Sequence, residues 1–482
     1  MLRVPKRSVN SAFHSNYLSY FTSHGLLLTH TQIKYSFVNH ATFKEASIIV
    51  RLGIPLIISH LAVIGMATTD TIFAGMVSTE HMAGLSVGAG IWAALSVFIL
   101  GMCGATATIA AHYHGGGRFN RIGFQVQQTG WIGLASAVLV GLLLATSGFW
   151  LKAIQPPGAV TDLAWRYLSI LTLACFGFVI AAVLQNACEA VGDTRLAMIT
   201  NLALLLLNAV FDYCFVTGAM GLPEMGAVGC AWASVCSYWL VGAALAAYLQ
   251  RQARYRRYHL FAKIWHPHWR TLKKHLAIAV PLAIGSGGEV FFFTSVALWL
   301  APLGATAVAG HQVTLNFSAL MYMVPLGFSV ALCIRCAQLR GSGKTQAAVM
   351  SAFTGVKVTM TCALITGAIT CLARFAIVDV YTPDPAVRDM AARLLLLCAL
   401  YQIFDSIQVA SWGALRGFGE TRTPMLMQLT AYWLCGFPLG WALAYWQGLG
   451  VFGFWWGIVG GLAIAAVLLH TRLHIVTRRM TP

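Results

Sequence analysis

The sequence has 482 residues, of which 9% are charged and 58% are hydrophobic, and its mean hydropathy is +0.73. An ordinary soluble domain carries about a quarter charged residues, so this composition excludes water as the main solvent of the chain. The formal net charge of +17 raises the question of a nucleic acid partner. Because the basic residues lie in loops between apolar runs rather than on one folded face, we expect none.

Residues 1–45 come first and hold no acidic residue before Glu45. Their short apolar stretch at 26–28 is too weak for a cleaved signal peptide, so we predict a poorly ordered cytoplasmic N-terminal extension. From residue 46 onward we count twelve apolar runs, each near the roughly 20 residues that cross a bilayer core. The sequence therefore predicts an all-α membrane protein with twelve transmembrane helices. Its predicted parts are an N-terminal six-helix lobe, a basic cytoplasmic linker, a C-terminal six-helix lobe and a cytoplasmic tail, over residues 46–250, 251–272, 273–474 and 475–482.

Lysine and arginine lie in alternate loops. The largest group is in the linker, whereas the loops near 76–82, 217–226, 301–306 and 446–451 contain neither residue. The positive-inside rule then places both termini in the cytoplasm. We expect a multi-pass protein of the bacterial inner membrane, in contact with lipid and functional as a monomer.

In the N-terminal lobe, polar residues stand out in the first and fifth apolar runs. Asp70 lies near the outer end of the first run, where partial exposure would lower its cost. The fifth run carries Asn201, Asn208 and Asp212, whose separations of seven and four place them on one helical stripe. A carboxylate at the centre of a membrane helix costs roughly 2.5–3.5 kcal/mol and commonly marks an ion path. For Asn201, plain hydrogen bonding between helices is an equal alternative.

In the C-terminal lobe, Glu289 follows Pro281 and the Gly-Ser-Gly-Gly segment 285–288 in the seventh run. A bend there would free backbone carbonyls for a cation; the alternative is that the glycines permit close helix packing. The eighth run offers Gln312 and Asn316 at i and i+4, for which a cavity lining and a structural hydrogen bond both remain open.

The tenth run carries a polar stripe of Tyr401, Asp405 and Gln408, whose spacings of four and three place them on one helical face. The alternative is a structural hydrogen-bonded patch. We predict that Glu289 and Asp405 are functional residues, because carboxylates in membrane helices commonly mark ion paths.

Two motifs are rejected. Cys333 and Cys336 have CxxC spacing but close an apolar helix and have no second pair for a zinc site. The Gly-Ser-Gly-Lys-Thr segment 341–345 resembles the end of a phosphate-binding loop, yet Gln338 occupies the place of the required first glycine. The sequence also has no HExxH zinc motif, and its GxSxG string at 84–88 (GLSVG) lies inside an apolar run rather than at the strand-to-helix turn of a nucleophile elbow, so we expect neither an enzyme nor a bound cofactor.

The chain contains an internal repeat. Pro55 aligns with Pro281 at an offset of 281 − 55 = 226, and Gly115 aligns with Gly341 at the same offset. The segment 192–195 (Gly-Asp-Thr-Arg) matches 419–422 (Gly-Glu-Thr-Arg) at 419 − 192 = 227. Six helices per copy is an even number, so the copies are parallel repeats and the substrate should pass between two lobes. The carboxylates do not follow the repeat, because Asp70, Glu289 and Asp405 map onto Val296, Val63 and Phe178.

These residues resemble the multidrug and toxic compound extrusion (MATE) family, specifically its bacterial NorM-type branch, from about residue 46 to 474. The resemblance rests on three strings, at 70–75 (DTIFAG), 309–318 (AGHQVTLNFS) and 401–408 (YQIFDSIQ). It implies a two-lobed twelve-helix antiporter. It also implies that the cation-coupling residues are Glu289, Asp405, Tyr401 and Asp70, and that Asn208 is a polar position of the N-terminal lobe. The chain departs from the pattern at Asp212, where the family leads us to expect asparagine, and in its first 45 residues.

The resulting hypothesis is a secondary active antiporter that exports small amphipathic or aromatic organic compounds in exchange for sodium ions or protons. We expect no metal beyond a transported sodium ion at Glu289 and Asp405. The resemblance leaves the cargo open between cationic drugs and metabolites, flavin nucleotides among them. The alternatives are a flippase for a lipid-linked precursor and an intramembrane enzyme. The predicted substrate cavity is lined by Asn208, Asp212, Gln312, Asn316 and Gln408.

Overall fold

The computed structural model describes residues 30–154, 158–221 and 223–480. Two units separate by their internal contacts, Met1–Glu45 and Ala46–Pro482. The predicted N-terminal extension, 1–45, lies largely outside the described residues; in that unit residues 30–45 are helical. All site residues discussed below belong to the second unit.

The described residues form helices and turns, with no strand among them, which confirms the predicted all-α class. In the part of the chain that the structure describes, eleven helices are long and apolar enough to cross a membrane, judged by length and composition. We number the membrane helices α1–α12 in chain order. The eleven uninterrupted ones are α1 His30–Val77, α2 Thr79–Gly115, α3 Ile122–Ala145, α4 Ala159–Ala190, α5 Thr194–Thr217, α6 Ala227–Arg251, α7 Trp269–Leu300, α8 Ala305–Gly341, α9 Thr345–Tyr381, α10 Pro385–Gly417 and α12 Val451–Met480.

The remaining predicted span, α11, is helical but segmented. Two of its four consecutive segments are π-helical, and the four are Arg422–Leu429, Thr430–Gly436 (π), Phe437–Trp441 and Ala442–Trp446 (π). A π turn inserts an extra residue and rotates the side chains that follow, and such turns are frequent at functional sites. Short helices at Ser147–Ile154 and Ala253–Arg256 and three 3₁₀ turns, Phe119–Arg121, Ala219–Gly221 and Ala301–Leu303, complete the described elements.

The repeat predicted from the sequence is visible in the backbone. Helices α2 and α8 begin and end at positions 226 residues apart, Thr79 with Ala305 and Gly115 with Gly341. The turns that follow them adopt the left-handed region at equivalent glycines, with φ of +68° at Gly117 and +74° at Gly343. Glycine enters this region without the steric penalty of a side chain, so both copies use the same residue for the same turn.

Apolar packing follows the two halves of the chain. One cluster of buried side chains is centred on α2, α4 and α6, and a second is centred on α7, α10 and α12 around the fully buried Trp455. Since lipid tails are as apolar as leucine, helices in a bilayer associate through close fit rather than hydrophobic transfer.

The turns that carry the largest groups of basic residues lie together on one side, which we call the basic side. The linker is fixed to the start of α3, where the Gly123 N–H donates to the Tyr258 carbonyl at 2.9 Å. The Gln338 amide of α8 donates to the Ala190 carbonyl at the end of α4 at 2.8 Å. Arg472 of α12 pairs with Glu420 at 3.1 Å. This grouping agrees with the charge pattern of the sequence.

The two lobes are in contact at the basic side through α2 and α8. A methyl group at Gly115 would overlap the Gln338 backbone, and one at Gly341 would overlap the His112 carbonyl. The Arg416 guanidinium of α10 also reaches α2, donating to the Gly104 carbonyl at 3.0 Å. The structure is therefore closed on the basic side.

Candidate functional site

Each lobe contains a cluster of buried polar side chains around carboxylates. In the N-terminal lobe the centre is Asn208 of α5, whose amide nitrogen donates to Asp70 of α1 at 2.6 Å and to Asp212 at 2.7 Å. Helix α6 adds Ser234, which donates to the Asn208 oxygen at 3.5 Å, and Cys230, whose thiol contacts the Asp70 carbonyl at 3.6 Å. Asp70 is buried rather than partly exposed as the sequence suggested, because α5 and α6 cover it.

The N-terminal cluster has an excess of negative groups. Ligand atoms of Asp70, Asp212 and Cys230 lie within 4.8 Å of one another, and no lysine or arginine among the described residues bonds to them. Two charges at that separation repel by roughly 3–4 kcal/mol at an effective dielectric constant of about 20. The pair is therefore suited to hold one proton or one small cation, which offsets the repulsion.

In the C-terminal lobe, Glu289 of α7 accepts hydrogen bonds from four neutral side chains on three helices. The donors and their distances are Gln428 at 3.1 Å, Tyr432 at 3.1 Å, Gln408 at 3.2 Å and Tyr322 at 3.4 Å. Four donors stabilise a charged carboxylate through hydrogen bonds instead of an ion pair. Glu289 can thus carry its charge inside an apolar lobe.

Asp405 is joined to Glu289 by one side chain. The Gln408 amide nitrogen that contacts Glu289 also donates to Asp405 at 3.3 Å. Asp405 and Gln408 are three residues apart on α10, so helical geometry alone presents them on one face. The structure therefore brings the two predicted coupling carboxylates into one cluster.

Tyr401 lies one turn before Asp405 on α10 and is buried. Its hydroxyl makes a short hydrogen bond with Ser318 of α8, and no hydrogen bond joins it to either carboxylate among the described residues. Tyr401 therefore lies beside the carboxylate cluster and is linked to α8. Its role in cation coupling stays a prediction.

Two glycines of α7, Gly285 and Gly288, serve helix packing. Helix α7 is continuous from Trp269 to Leu300, and the Gly288 carbonyl accepts from the Trp433 indole at 3.3 Å. A methyl group at Gly285 would meet the Trp412 ring at 2.8 Å, and one at Gly288 would overlap Leu429. Of the two interpretations left open by the sequence, the structure favours close packing against α10 and α11.

Gln312 and Asn316 do not join the carboxylates. Both side chains are exposed, and the Asn316 amide donates to the Gln312 backbone carbonyl at 3.0 Å. They lie on a face of α8 that differs from the buried face of Thr314 and Ser318. For Asn201 the structure shows the alternative, a hydrogen bond between helices, because its amide donates to the Ser59 hydroxyl at 2.8 Å.

Sequence reasoning missed three partners of Glu289, namely Tyr322, Gln428 and Tyr432. A usable signal existed for the last two, since they are i and i+4 within an otherwise apolar run. The cysteines of the CxxC motif bond elsewhere, Cys333 with Thr108 at 3.3 Å and Cys336 with the Ala348 carbonyl at 3.8 Å. Segment 341–345 is a turn between two helices, which agrees with the rejection of a phosphate-binding loop.

Known proteins resemble this chain in both of its halves. The sequence profile of the MatE family matches residues 55–214 and 281–442, one match in each lobe. A relative from Yersinia pseudotuberculosis, multidrug resistance protein MdtK, is 35% identical over 442 residues, covering 91% of this chain and 97% of its own.

Solved structures share the fold. The eukaryotic MATE transporter AtDTX14 superposes with a TM-score of 0.84 at 20% identity, over 91% of this chain and 99% of its own. A multidrug resistance MATE family transporter of the MOP superfamily in an outward-facing conformation superposes with a TM-score of 0.83 at 18% identity, over 90% of this chain and 96% of its own. Given the two matched halves and the identity over nearly the whole length, this chain belongs to the multidrug and toxic compound extrusion (MATE) family.

Proposed function

We propose that this chain is a secondary active antiporter for multidrug efflux, which exports small amphipathic or aromatic organic compounds in exchange for protons or sodium ions. The observation that carries the proposal is the pair of carboxylate clusters, one inside each lobe, with neutral hydrogen-bond partners. Intramembrane carboxylates of this kind commonly mark ion paths. The relative named a multidrug resistance protein supports the cargo class.

The proposed mechanism is linkage between ion and cargo. Binding of the ion to Glu289 and Asp405 weakens binding of the cargo, and by reciprocity the cargo weakens binding of the ion. Each net positive charge that moves inward across 100 mV releases about 2.3 kcal/mol, which for an uncharged cargo supports tens-fold accumulation outside without ATP.

The proposal includes the oligomeric state and the location of the protein. We infer a functional monomer in the bacterial inner membrane, with the basic side in the cytoplasm and lipid around the helices. We also infer transport without chemical turnover and without a bound cofactor or nucleic acid.

The test is export by purified protein in vesicles under imposed sodium or proton gradients, with ethidium as the probe. Asp405→Asn should abolish gradient-driven export while the protein remains folded. The matched control is Asp389→Asn on the same helix, whose carboxylate is exposed and pairs with Arg393. Normal export by Asp405→Asn would overturn the coupling role.

The alternatives give different results in the same vesicles. A flippase would move a labelled lipid-linked precursor and leave ethidium in place. An intramembrane enzyme would convert a substrate with no gradient applied. Either result, with no gradient-driven ethidium export, would replace the antiporter proposal.

A further inference from the structure

His311 of α8 is fully buried, yet neither of its ring nitrogens has a hydrogen-bond partner among the described residues. The indole nitrogen of the buried Trp455 also has no hydrogen-bond partner among the described residues. The ring centroids of His311 and Trp455 are 5.9 Å apart. Buried polar groups in native proteins are nearly always paired, and an exception calls for an explanation such as bound water or a functional role. Because the two unpaired groups, the His311 ring and the Trp455 indole, are adjacent, they indicate one polar site inside the C-terminal lobe.

The buried face of α8 continues from His311 to the carboxylate cluster. Ser318 and Tyr322 follow at seven and eleven residues, which places all three within a narrow sector of the helix. Ser318 bonds to the Tyr401 hydroxyl, one turn from Asp405, and Tyr322 donates to Glu289 at 3.4 Å. Polar side chains therefore lie at intervals between His311 and both carboxylates, although among the described residues no hydrogen bond joins His311 to Ser318 or Tyr401 to Asp405.

His311 lies at the end of this row nearer the side opposite the basic one. Helix α8 starts on that side at Ala305, and His311 is six residues further, about 9 Å along the axis at 1.5 Å per residue. Ser318 is about 10 Å deeper by the same rise. Thr314 and the Trp455 N–H lie along this interval, and an internal water needs two to four such partners.

We propose that His311 is a proton relay, which passes protons between the side opposite the basic one and the Asp405–Glu289 pair through water held beside Trp455. The inference rests on the proposed antiport and names the proton as the coupling ion of the C-terminal lobe. A neutral imidazole accepts a proton at one ring nitrogen and releases one from the other. The carboxylate of Asp405 takes up the proton, so the relay returns to its neutral form.

The hydrogen bonds around the two carboxylates make Asp405, rather than Glu289, the proton acceptor of the pair. Tyr322, Tyr432 and the two glutamine amides all direct hydrogens toward the carboxylate. Four donors favour the charged form of Glu289, whereas Asp405 accepts a hydrogen bond from Gln408 alone among the described residues, at 3.3 Å. Protonation of Asp405 therefore disturbs fewer hydrogen bonds than protonation of Glu289.

The alternative is that His311 is a core residue whose ring merely packs against Trp455. The two roles differ in a measurable way. A packing role predicts lost stability, whereas a relay predicts slow proton transfer in a folded protein, restored by a small diffusible base.

The experiment uses the full chain in vesicles with ethidium as the probe, and measures its initial export and the accompanying proton flux. His311→Ala should slow both at least tenfold under a proton gradient, with unchanged ethidium affinity. Imidazole added to the buffer should restore at least a third of the rate. His311→Gln, of similar size, can form hydrogen bonds but cannot relay, so it should be as slow and should not be restored.

Two controls isolate the relay. His275→Ala removes another buried histidine, one that is bonded to Gln125 at 2.7 Å and Thr129 at 3.0 Å, and imidazole should leave its rate unchanged. Asp405→Asn should be inactive with or without imidazole, since it removes the proton acceptor.

Five outcomes are decisive. Slow His311→Ala restored by imidazole supports the relay. A normal rate in His311→Gln, or a folded but slow His311→Ala that imidazole does not restore, overturns it. Export by the unsubstituted protein under sodium gradients alone also overturns the relay and leaves the antiport intact. Export under neither gradient means that the proposed function itself has failed.

Discussion

A tight contact between the lobes predicts that Gly341→Ala will open the basic side. A methyl group at Gly341 would overlap the His112 carbonyl and lie 3.0 Å from the Gly116 nitrogen. Both neighbours are backbone atoms of α2 and its following turn, so no change of rotamer relieves the overlap. The strain exists only while the ends of α2 and α8 are in contact, and it is relieved when they separate.

The size of the effect follows from the cost of overpacking. One extra methyl group in a tight contact costs typically about 1–3 kcal/mol. Since this cost applies only to the closed state, the ratio of closed to open molecules should fall by roughly 5- to 150-fold. A transporter that spends most of its time closed on the basic side would then show a large open population.

The assay is the distance between spin labels placed on the two lobes at the basic side. Arg118 and Lys344 occupy exposed, repeat-equivalent positions beside the contact, so their cysteine variants report the separation directly. The half-buried native cysteines, Cys236, Cys362, Cys371 and Cys435, are first replaced by serine. Gly287→Ala is the matched control, because no atom lies within 4 Å of its added methyl group. A distance distribution in Gly341→Ala equal to that of the control would refute the reasoning.

Two further predictions concern the N-terminal cluster and the linker. Asn208→Ala removes the donor shared by Asp70 and Asp212, and hydrogen bonds to charged groups contribute about 1.5–3 kcal/mol each. The unfolding temperature of Asn208→Ala in detergent should therefore fall further than that of Asn201→Ala, which loses the bond to Ser59. Equal falls would contradict the shared-donor role. Gln127→Ala frees the backbone of the linker at Leu260, Lys263 and Trp265, so trypsin should cleave after Lys263 several-fold faster. The exposed neighbour Gln252→Ala should leave that cleavage rate unchanged, and an unchanged rate in Gln127→Ala would contradict the proposed anchoring.

The sequence predicts those features that depend on a single helix. Asp405 and Gln408 share a face because they are three residues apart, and the cost of a carboxylate in hydrocarbon is enough to single out Glu289 and Asp405. The left-handed turn at Gly117 and Gly343 follows from the matched glycines of the repeat. These features need no knowledge of how helices pack.

The rest depends on how one helix is rotated against another, which periodicity does not specify. Gln312 and Asn316 share a stripe as predicted, but that stripe is exposed, whereas Ser318 two residues further is buried. Gln428 and Tyr432 reach Glu289 where α11 passes from α-helix into a π-helical segment. A pattern search with a period of 3.6 residues has no means of placing a side chain beyond such a turn.

The repeat also explains why the two clusters differ. Asn201 and Gln428 are repeat equivalents, 227 residues apart, and each bonds across to the first helix of its lobe, to Ser59 and to Glu289 respectively. The repeat maps Glu289 onto Val63, so Asp70 lies seven residues further along α1, about 10 Å nearer the side opposite the basic one at 1.5 Å per residue. Carboxylates at different depths meet different fractions of the membrane field. If both clusters bind the coupling ion, as proposed, the two sites respond unequally to voltage, which two symmetric copies would not provide.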